Sequence, residues 1–248
     1  LDAKRYPARQ FQSMISNAKN ELLGPQDYLN AASNPFEQIV ADVYAVYQQR
    51  LIRANAMDFD DLILKTVEVL QRYPEAKARF RSRFRHVLVD EYQDTNHAQY
   101  ILVKELVGTE LEGQAPAELC VVGDADQSIY GFRGATIRNI LQFELDYPNA
   151  RTVLLEQNYR STQNILNAAN AVITKNESRK EKNLWSDAGA GSPLTGYVAE
   201  SEHDEANFIA DEIRSLQREG VSTPGDTAIF YRTNAQSRVF EEVFMRNA

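Results

Sequence analysis

Apolar residues recur at helical spacing through the first third of the chain, then switch to short runs between helical stretches. Over residues 7–23, Phe11, Met14, Ile15, Ala18 and Leu22 share one helical face, and Gly24-Pro25 breaks the pattern. A second helix is expected to open at Asn34-Pro35, with proline at its first position. It runs through Phe36, Ile39, Val40, Val43, Tyr44, Tyr47 and Leu51. A third covers 60–72, and no strand signal precedes residue 86.

From His86 onward strand and helix alternate. Strands are predicted at 86–90, 118–123, 151–155, 194–199 and 226–231, with helices at 96–107, 136–146, 161–175, 203–218 and 235–247. Such alternation means right-handed βαβ units and a parallel sheet. The stretch 184–193, with Gly189, Gly191 and Pro193, reads as a surface connection. There is no internal repeat and no low-complexity segment.

Composition narrows the class. The 248 residues, 43% hydrophobic, suit one large or two small domains of a soluble globular protein. The chain opens at Leu1 and stops at Arg246-Asn247-Ala248 within a helical pattern, which reads as an internal fragment of something longer. Cys120 lies in an apolar run and is expected to be a buried small hydrophobe in a reducing compartment. His86, His97 and His203 are scattered and lack cysteine company, against a structural zinc site. No apolar stretch approaches a membrane span and no signal-peptide pattern appears, so a cytoplasmic protein without a membrane partner is expected. The formal charge of −8 argues mildly against nucleic acid, although a binding groove needs only local positive charge.

Two runs carry chemistry. Val87-Leu88-Val89 ends in Asp90-Glu91-Tyr92-Gln93-Asp94, and Val121-Val122-Gly123 ends in Asp124-Ala125-Asp126-Gln127. Each reads as a buried strand delivering acids to the carboxyl edge of a parallel sheet, where ligands of open α/β folds bind. Asp90-Glu91 is the pair a nucleotide hydrolase needs: one carboxylate to hold Mg²⁺, the next to orient or deprotonate the attacking water. No glycine in the chain is followed by lysine, so the G-x-x-x-x-G-K-[ST] phosphate loop is absent from it.

The full run Asp90-Glu91-Tyr92-Gln93-Asp94-Thr95-Asn96 resembles the Walker B motif of superfamily 1 DNA helicases of the UvrD/Rep/PcrA family. Gly123 to Ala135 resembles their third motif, and Gln157-Asn158-Tyr159-Arg160-Ser161-Thr162 their fourth. Met57-Asp58-Phe59-Asp60-Asp61-Leu62 and Tyr231 to Arg238 also look like family segments, so the likeness runs in order from about residue 30 to the end. The resemblance implies ATP and Mg²⁺ as cofactors. It assigns Mg²⁺ to Asp90, water activation to Glu91, γ-phosphate sensing to Gln127, adenine stacking to Tyr159 and an arginine finger in cis to Arg160. Asp94 is expected to fix its loop or cap the next helix, and Ser161 or Thr162 to cap theirs.

DNA contacts form a second constellation. Tyr130, Phe132 and Arg133 lie on one glycine-flanked loop, and a single strand is gripped by base–aromatic stacking, worth about 1–3 kcal/mol per base, plus backbone neutralisation. Phe132 is the stacking candidate and Arg133 the phosphate or base contact, while Tyr130 serves equally as a core packer. Many relatives carry tryptophan where Phe132 stands, so the aromatic face here is smaller. The resemblance adds Phe59, Arg232 and Asn234 as borders of the strand. Lys77, Arg79, Arg81, Arg83 and Arg85 are spaced by two, which scatters them around a helix, and read as incidental solvated charge. Glu177 to Lys182 reads as a mixed-charge surface turn.

The expected architecture is α/β: RecA-like motor domains with parallel sheets plus a helical insertion subdomain. Residues 1–54 would be the insertion, 55–155 the later part of the first motor domain and 156–248 the start of the second. The expected function is that of part of an ATP-dependent 3′–5′ DNA helicase. It would act on single-stranded DNA and duplex junctions alongside repair or replication proteins, with this polypeptide inactive by itself. The competing readings are a non-catalytic module binding single-stranded DNA or protein, and the motor of a RecB-type helicase–nuclease. A metal nuclease built on Asp60, Asp61, Asp90 and Glu91 ranks below both.

Overall fold

The computed structural model describes residues 6–108, 115–131, 134–141, 143–176 and 181–247. The chain divides into two compact units, Leu1–Glu156 with Asn170–Asn183, and Gln157–Ala169 with Leu184–Ala248.

The first unit opens with helices α1 (Ala8–Asn20), α2 (Pro25–Ala31), α3 (Pro35–Arg53), α4 (Phe59–Arg72) and α5 (Pro74–Arg83). Helix α3 begins where its capping chemistry dictates: Asn34 Oδ1 accepts the N–H groups of Phe36 and Glu37 at 3.1 and 3.0 Å, and Pro35 occupies the first turn. Phe11, Ile15 and Ala18 of α1 pack against Val40 and Tyr44 of α3 as the apolar core of this region. Leu22 does not extend the α1 face; it takes a left-handed φ of 59° in the turn that ends the helix. α1 already stops at Asn20, ahead of Gly24-Pro25, which instead starts the unexpected α2, because proline fits the first turn of a helix as well as it breaks an interior.

Strand β1 (His86–Val89) follows, then α6 (His97–Val107) and β2 (Glu118–Val121). β1 and β2 run parallel, with His86 opposite Glu118 and Val89 opposite Val121. Burial alternates along both, so Val87 and Val89 are half-buried while Leu88 is 76% exposed and Cys120 is exposed. The expectation of strands buried on both faces, with a buried cysteine, is therefore corrected. Period-2 geometry sends alternate residues to opposite faces, and the described residues cover one of them. Short helices α7 (Arg138–Leu141) and α8 (Phe143–Asp146) complete the order before α9 (Gln163–Ile173).

The basic stretch on α5 is not incidental. Arg81 is buried, and its Nε donates to the Glu105 carbonyl at 2.7 Å, while Lys77 pairs with the Glu105 carboxylate at 2.7 Å. Spacing along one helix did not disclose a partner on α6.

In the second unit α10 (Glu202–Arg218) packs on α11 (Ser237–Asn247) through Ala206, Ala210 and Val243, with Val239, Phe240 and Phe244 around them. Strands expected at 151–155, 194–199 and 226–231 do not form. Among the described residues the only pairing outside β1 and β2 is an isolated bridge, Gln157 to Trp185. Val198 is 95% and Phe230 94% exposed. A strand exists only with a neighbour to share its N–H and C=O groups, and local apolar pattern cannot supply one. No described helix is long and apolar enough to cross a membrane.

Candidate active site

The ends of β1 and β2 are stitched together beyond their ladder. Val122 N–H donates to the Val89 carbonyl at 2.8 Å and Tyr92 N–H to the Val122 carbonyl at 2.9 Å. This brings the loop after β1, with Asp90 and Glu91, beside the loop after β2, with Asp124 and Gln127. Asp90 and Glu91 are both exposed at that edge. Asp90 Oδ1 accepts the Glu91 N–H at 2.9 Å. Glu91 stands in the left-handed region, φ 49° and ψ 43°, a conformation that costs a non-glycine residue roughly 1–2 kcal/mol. Such strain persists where surrounding structure over-determines it, commonly at functional sites.

That determination comes from Gln93, 1% exposed. Its Nε2 donates to Glu91 Oε2 at 2.8 Å, and its Oε1 accepts the Asp124 N–H at 2.9 Å. Asp124 Oδ2 then accepts from Gln127 Nε2 at 2.8 Å, and its Oδ1 accepts the Asp126 N–H at 2.9 Å. Lys182 pairs with Asp124 and lies 3.5 Å from Asp126 Oδ2. Burial resists ionisation of Asp124. The Lys182 ammonium, the Gln127 amide and the Asp126 N–H outweigh it and hold this carboxyl below the ordinary aspartate range. Glu91 and Gln127 are thus joined by one run of hydrogen bonds through Gln93 and Asp124. Lys182 was read as part of a mixed-charge surface turn, and its ion pairs correct that; residues 177–180 of that turn lie outside the described residues.

The loop itself is braced from behind. Asn139 Nδ2 donates to the Thr95 carbonyl and Oγ1 at 3.1 and 3.0 Å. Asn96, not Asp94, caps α6: its Oδ1 accepts the Gln99 N–H at 2.9 Å, and Gln99 Oε1 accepts the Asn96 N–H at 3.0 Å. Because Asn96 holds the cap, the capping role expected of Asp94 is withdrawn; Asp94 Oδ2 instead lies 3.5 Å from Gln93 Nε2 within the loop, and its Oδ1 is buried without a hydrogen-bond partner.

Of the nucleic-acid candidates, Phe59 opens α4 and is 90% exposed. Asp58 sets that position by accepting the Asp61 N–H at 2.8 Å as the helix cap. Tyr130 is also exposed, while Phe132 and Arg133 lie outside the described residues. In the second unit Tyr159 and Arg160 are exposed, with the Tyr159 hydroxyl donating to Gln157 Oε1 at 2.9 Å. The N–H groups of Arg160 and Ser161 both reach Asn158 Oδ1, at 2.9 and 2.8 Å. The first N–H groups of α9 go to the Gly189 and Ala190 carbonyls, which replaces the expected Ser161 or Thr162 cap. Arg232 and Asn234 are exposed ahead of α11.

Sequence reasoning missed Gln93 and Lys182. Gln93 carried one usable signal, an uncharged amide between carboxylates on a strand end; nothing local marked Lys182.

The UvrD/REP helicase N-terminal domain model matches residues 1–148, and the UvrD-like helicase C-terminal domain model matches 153–248. Over 99% of the chain, ATP-dependent DNA helicase UvrD1 of Mycobacterium tuberculosis H37Rv is 61% identical across 250 residues, or 32% of that protein. ATP-dependent DNA helicase PcrA of Leuconostoc citreum is 53% identical across 246 residues, and PcrA of Bacillus subtilis 48% across 246, each with 99% of the chain and 32% of the relative covered. The chain therefore spans about a third of the length of the curated relatives it matches.

Proposed function

The chain belongs to the UvrD/REP helicase family, and from that premise we propose that it carries part of an ATP-hydrolysing, single-stranded-DNA-translocating site. The observation that supports this best is the hydrogen-bonded run from Glu91 through Gln93 and Asp124 to Gln127 at the carboxyl edge of the sheet. In this reading Glu91 takes a proton from the water that attacks the γ-phosphate, and Gln127 turns its amide from Asp124 to that phosphate.

Asp90 suits Mg²⁺: it is an exposed oxygen donor at a strand end, and among the described residues no group of three or more His, Cys, Asp or Glu forms a fuller cage. That partial donor set matches an ion that keeps water and phosphate oxygens around it. Bound there, Mg²⁺ would neutralise phosphate charge. Tyr159 stacks on adenine and Arg160 offsets charge developing on the transferred phosphoryl group. Phe59, Tyr130, Phe132, Arg133, Arg232 and Asn234 contact single-stranded DNA, on which the whole protein moves 3′ to 5′ and opens duplex in repair or replication. Residues 1–54 act as a helical insertion, 55–155 as part of the first RecA-like motor domain and 156–248 as part of the second.

The test is a hybrid in which this chain replaces the matching third of the Bacillus subtilis PcrA relative. DNA-stimulated ATP hydrolysis is expected, with Glu91→Gln lowering kcat by about 10²-fold or more. A Glu91→Gln hybrid as fast as its parent overturns the assignment. The 248-residue chain alone, without a phosphate loop in its sequence, is expected to hydrolyse no ATP, and DNA-stimulated turnover by the pure chain overturns that.

A further inference from the structure

Gln93 occupies an unusual place: a side chain removed from solvent whose two polar atoms point to two different loops. Its amide nitrogen donates to the Glu91 carboxylate at 2.8 Å and, at 3.5 Å, to Asp94 Oδ2; its amide oxygen accepts the Asp124 N–H, and its own carbonyl accepts the Ser128 hydroxyl at 3.3 Å. Both ends of the 124–128 turn are therefore held by one residue of the Asp90–Asp94 loop. That turn runs on to Tyr130, the exposed aromatic of the nucleic-acid loop.

The backbone of the second loop passes close to this amide at Gly123. A Cβ added to Gly123 would meet Gln93 Oε1 at 2.7 Å, Ile140 Cδ1 at 3.0 Å and the Tyr92 nitrogen at 3.2 Å. Gly123 is thus the residue that lets the Gln93 amide approach the second loop. A bond from an amide to a carboxylate is charge-assisted and directional, so it fixes both a distance and an angle for Glu91. The left-handed backbone of Glu91 places its carboxylate where the Gln93 amide can hold it.

We propose that Gln93 is a positioning residue that fixes the Glu91 carboxylate and ties it to the 124–128 turn, so that the base and the nucleic-acid loop move together. This rests on the proposed function above. It assigns to Gln93 the transmission of DNA binding to the attacking water, with no contact to nucleotide. A change in the turn's position reaches Glu91 through two hydrogen bonds, and a change at Glu91 reaches the turn by the same path.

Two measurements test it. In the 248-residue chain, Gln93→Met is expected to speed hydrogen exchange of the Asp124 amide about tenfold, the loss of roughly one buried hydrogen bond. The Tyr92 and Val122 amides, bonded to backbone carbonyls, keep their protection. Unchanged exchange at Asp124 overturns the geometry. In the PcrA hybrid, Gln93→Met is expected to lower kcat about tenfold or more at unchanged KM for ATP and to shrink the ratio of rates with and without single-stranded DNA.

Gln93→Glu separates the two bonds. It still accepts from Asp124 but repels Glu91, so Asp124 protection survives while kcat falls as in Gln93→Met. Gly123→Ala pushes the amide aside from the opposite face and is expected to copy Gln93→Met. Full kcat and full DNA stimulation in both Gln93→Met and Gly123→Ala overturn the proposal. If Glu91→Gln is inactive while the Gln93 variants match the parent, the positioning role fails and the hydrolase reading stands. If Glu91→Gln is fully active, the hydrolase reading itself fails.

Discussion

Lys19 of α1 places its ammonium 2.6 Å from the carboxylate of Asp58, the residue that caps α4. The same nitrogen lies 3.0 Å from Asp61 Oδ1 and 5.2 Å from the centre of the Tyr47 ring. The Lys19 side chain is wholly buried, and Gln48 donates to both oxygens of Asp61 from α3. Three helices thus meet at one buried cation, and Phe59 follows the residue it anchors.

Removing that cation leaves carboxylates without their counter-charge in a buried site. Lys19→Met is expected to destabilise the first unit by about 3–5 kcal/mol, read by urea unfolding. The triple variant Lys19→Met, Asp58→Asn, Asp61→Asn is expected to regain part of that loss, because it removes the orphaned charges as well.

Stability should depend on pH at both extremes. Burial opposes ionisation of Asp58, but Lys19, the Asp61 N–H and the Tyr47 hydroxyl overcome it, so its folded pKa is lowered, as is that of Asp124. Each contributes stability above the ordinary aspartate pKa of about 3.9 and loses it as pH falls toward the folded value. Tyr47 is pushed up to about 12 by burial and by its hydrogen bond to Asp58. The unfolded chain therefore releases this proton first, and stability falls as pH rises from about 10 toward that value. Urea midpoints measured across pH should show a plateau between these limbs; a midpoint still rising from pH 5 to 8 contradicts it.

Phe59→Ala is expected to leave folding stability within about 0.5 kcal/mol, because its ring is exposed. Affinity of the PcrA hybrid for a short single-stranded oligonucleotide should drop about tenfold, the worth of one stacked base. Fluorescence anisotropy and thermal melting on the same samples separate the two effects.

Gly108 follows α6 with φ 77°, and a Cβ there would lie 2.8 Å from the Arg81 Cζ. Gly108→Ala is expected to cost about 2 kcal/mol or more, combining a backbone region (φ 77°, ψ −176°) that essentially only glycine enters with displacement of the buried guanidinium. Urea unfolding checks it.

Several helix starts were legible because a local cap announced them. Asn34-Pro35 opens α3 as read, since cap and proline act within one turn. The strand at 86–89 and the acids after it were legible for the same reason: apolar run and carboxylates are neighbours in sequence. The segment 194–199 shows the limit. Tyr197 and Val198 suit a strand, but Tyr197 instead stacks on Phe208 at 4.0 Å between ring centroids, with no ladder partner among the described residues.

By itself, then, the sequence determined helices with capping residues, the two carboxylates at the end of β1 and the motifs of the family. These depend on residues within a turn or two of each other, where bond geometry and backbone capping leave few alternatives. Tertiary structure alone decided that Lys19 lies under the cap of α4, that Lys182 neutralises Asp124 and that Gln93 joins Glu91 to the second loop. Except for the short Gln93–Glu91 contact, those interactions join residues far apart along the chain. A buried charge or amide there is stable only when folding delivers its partner, and no local pattern of residue types encodes that meeting.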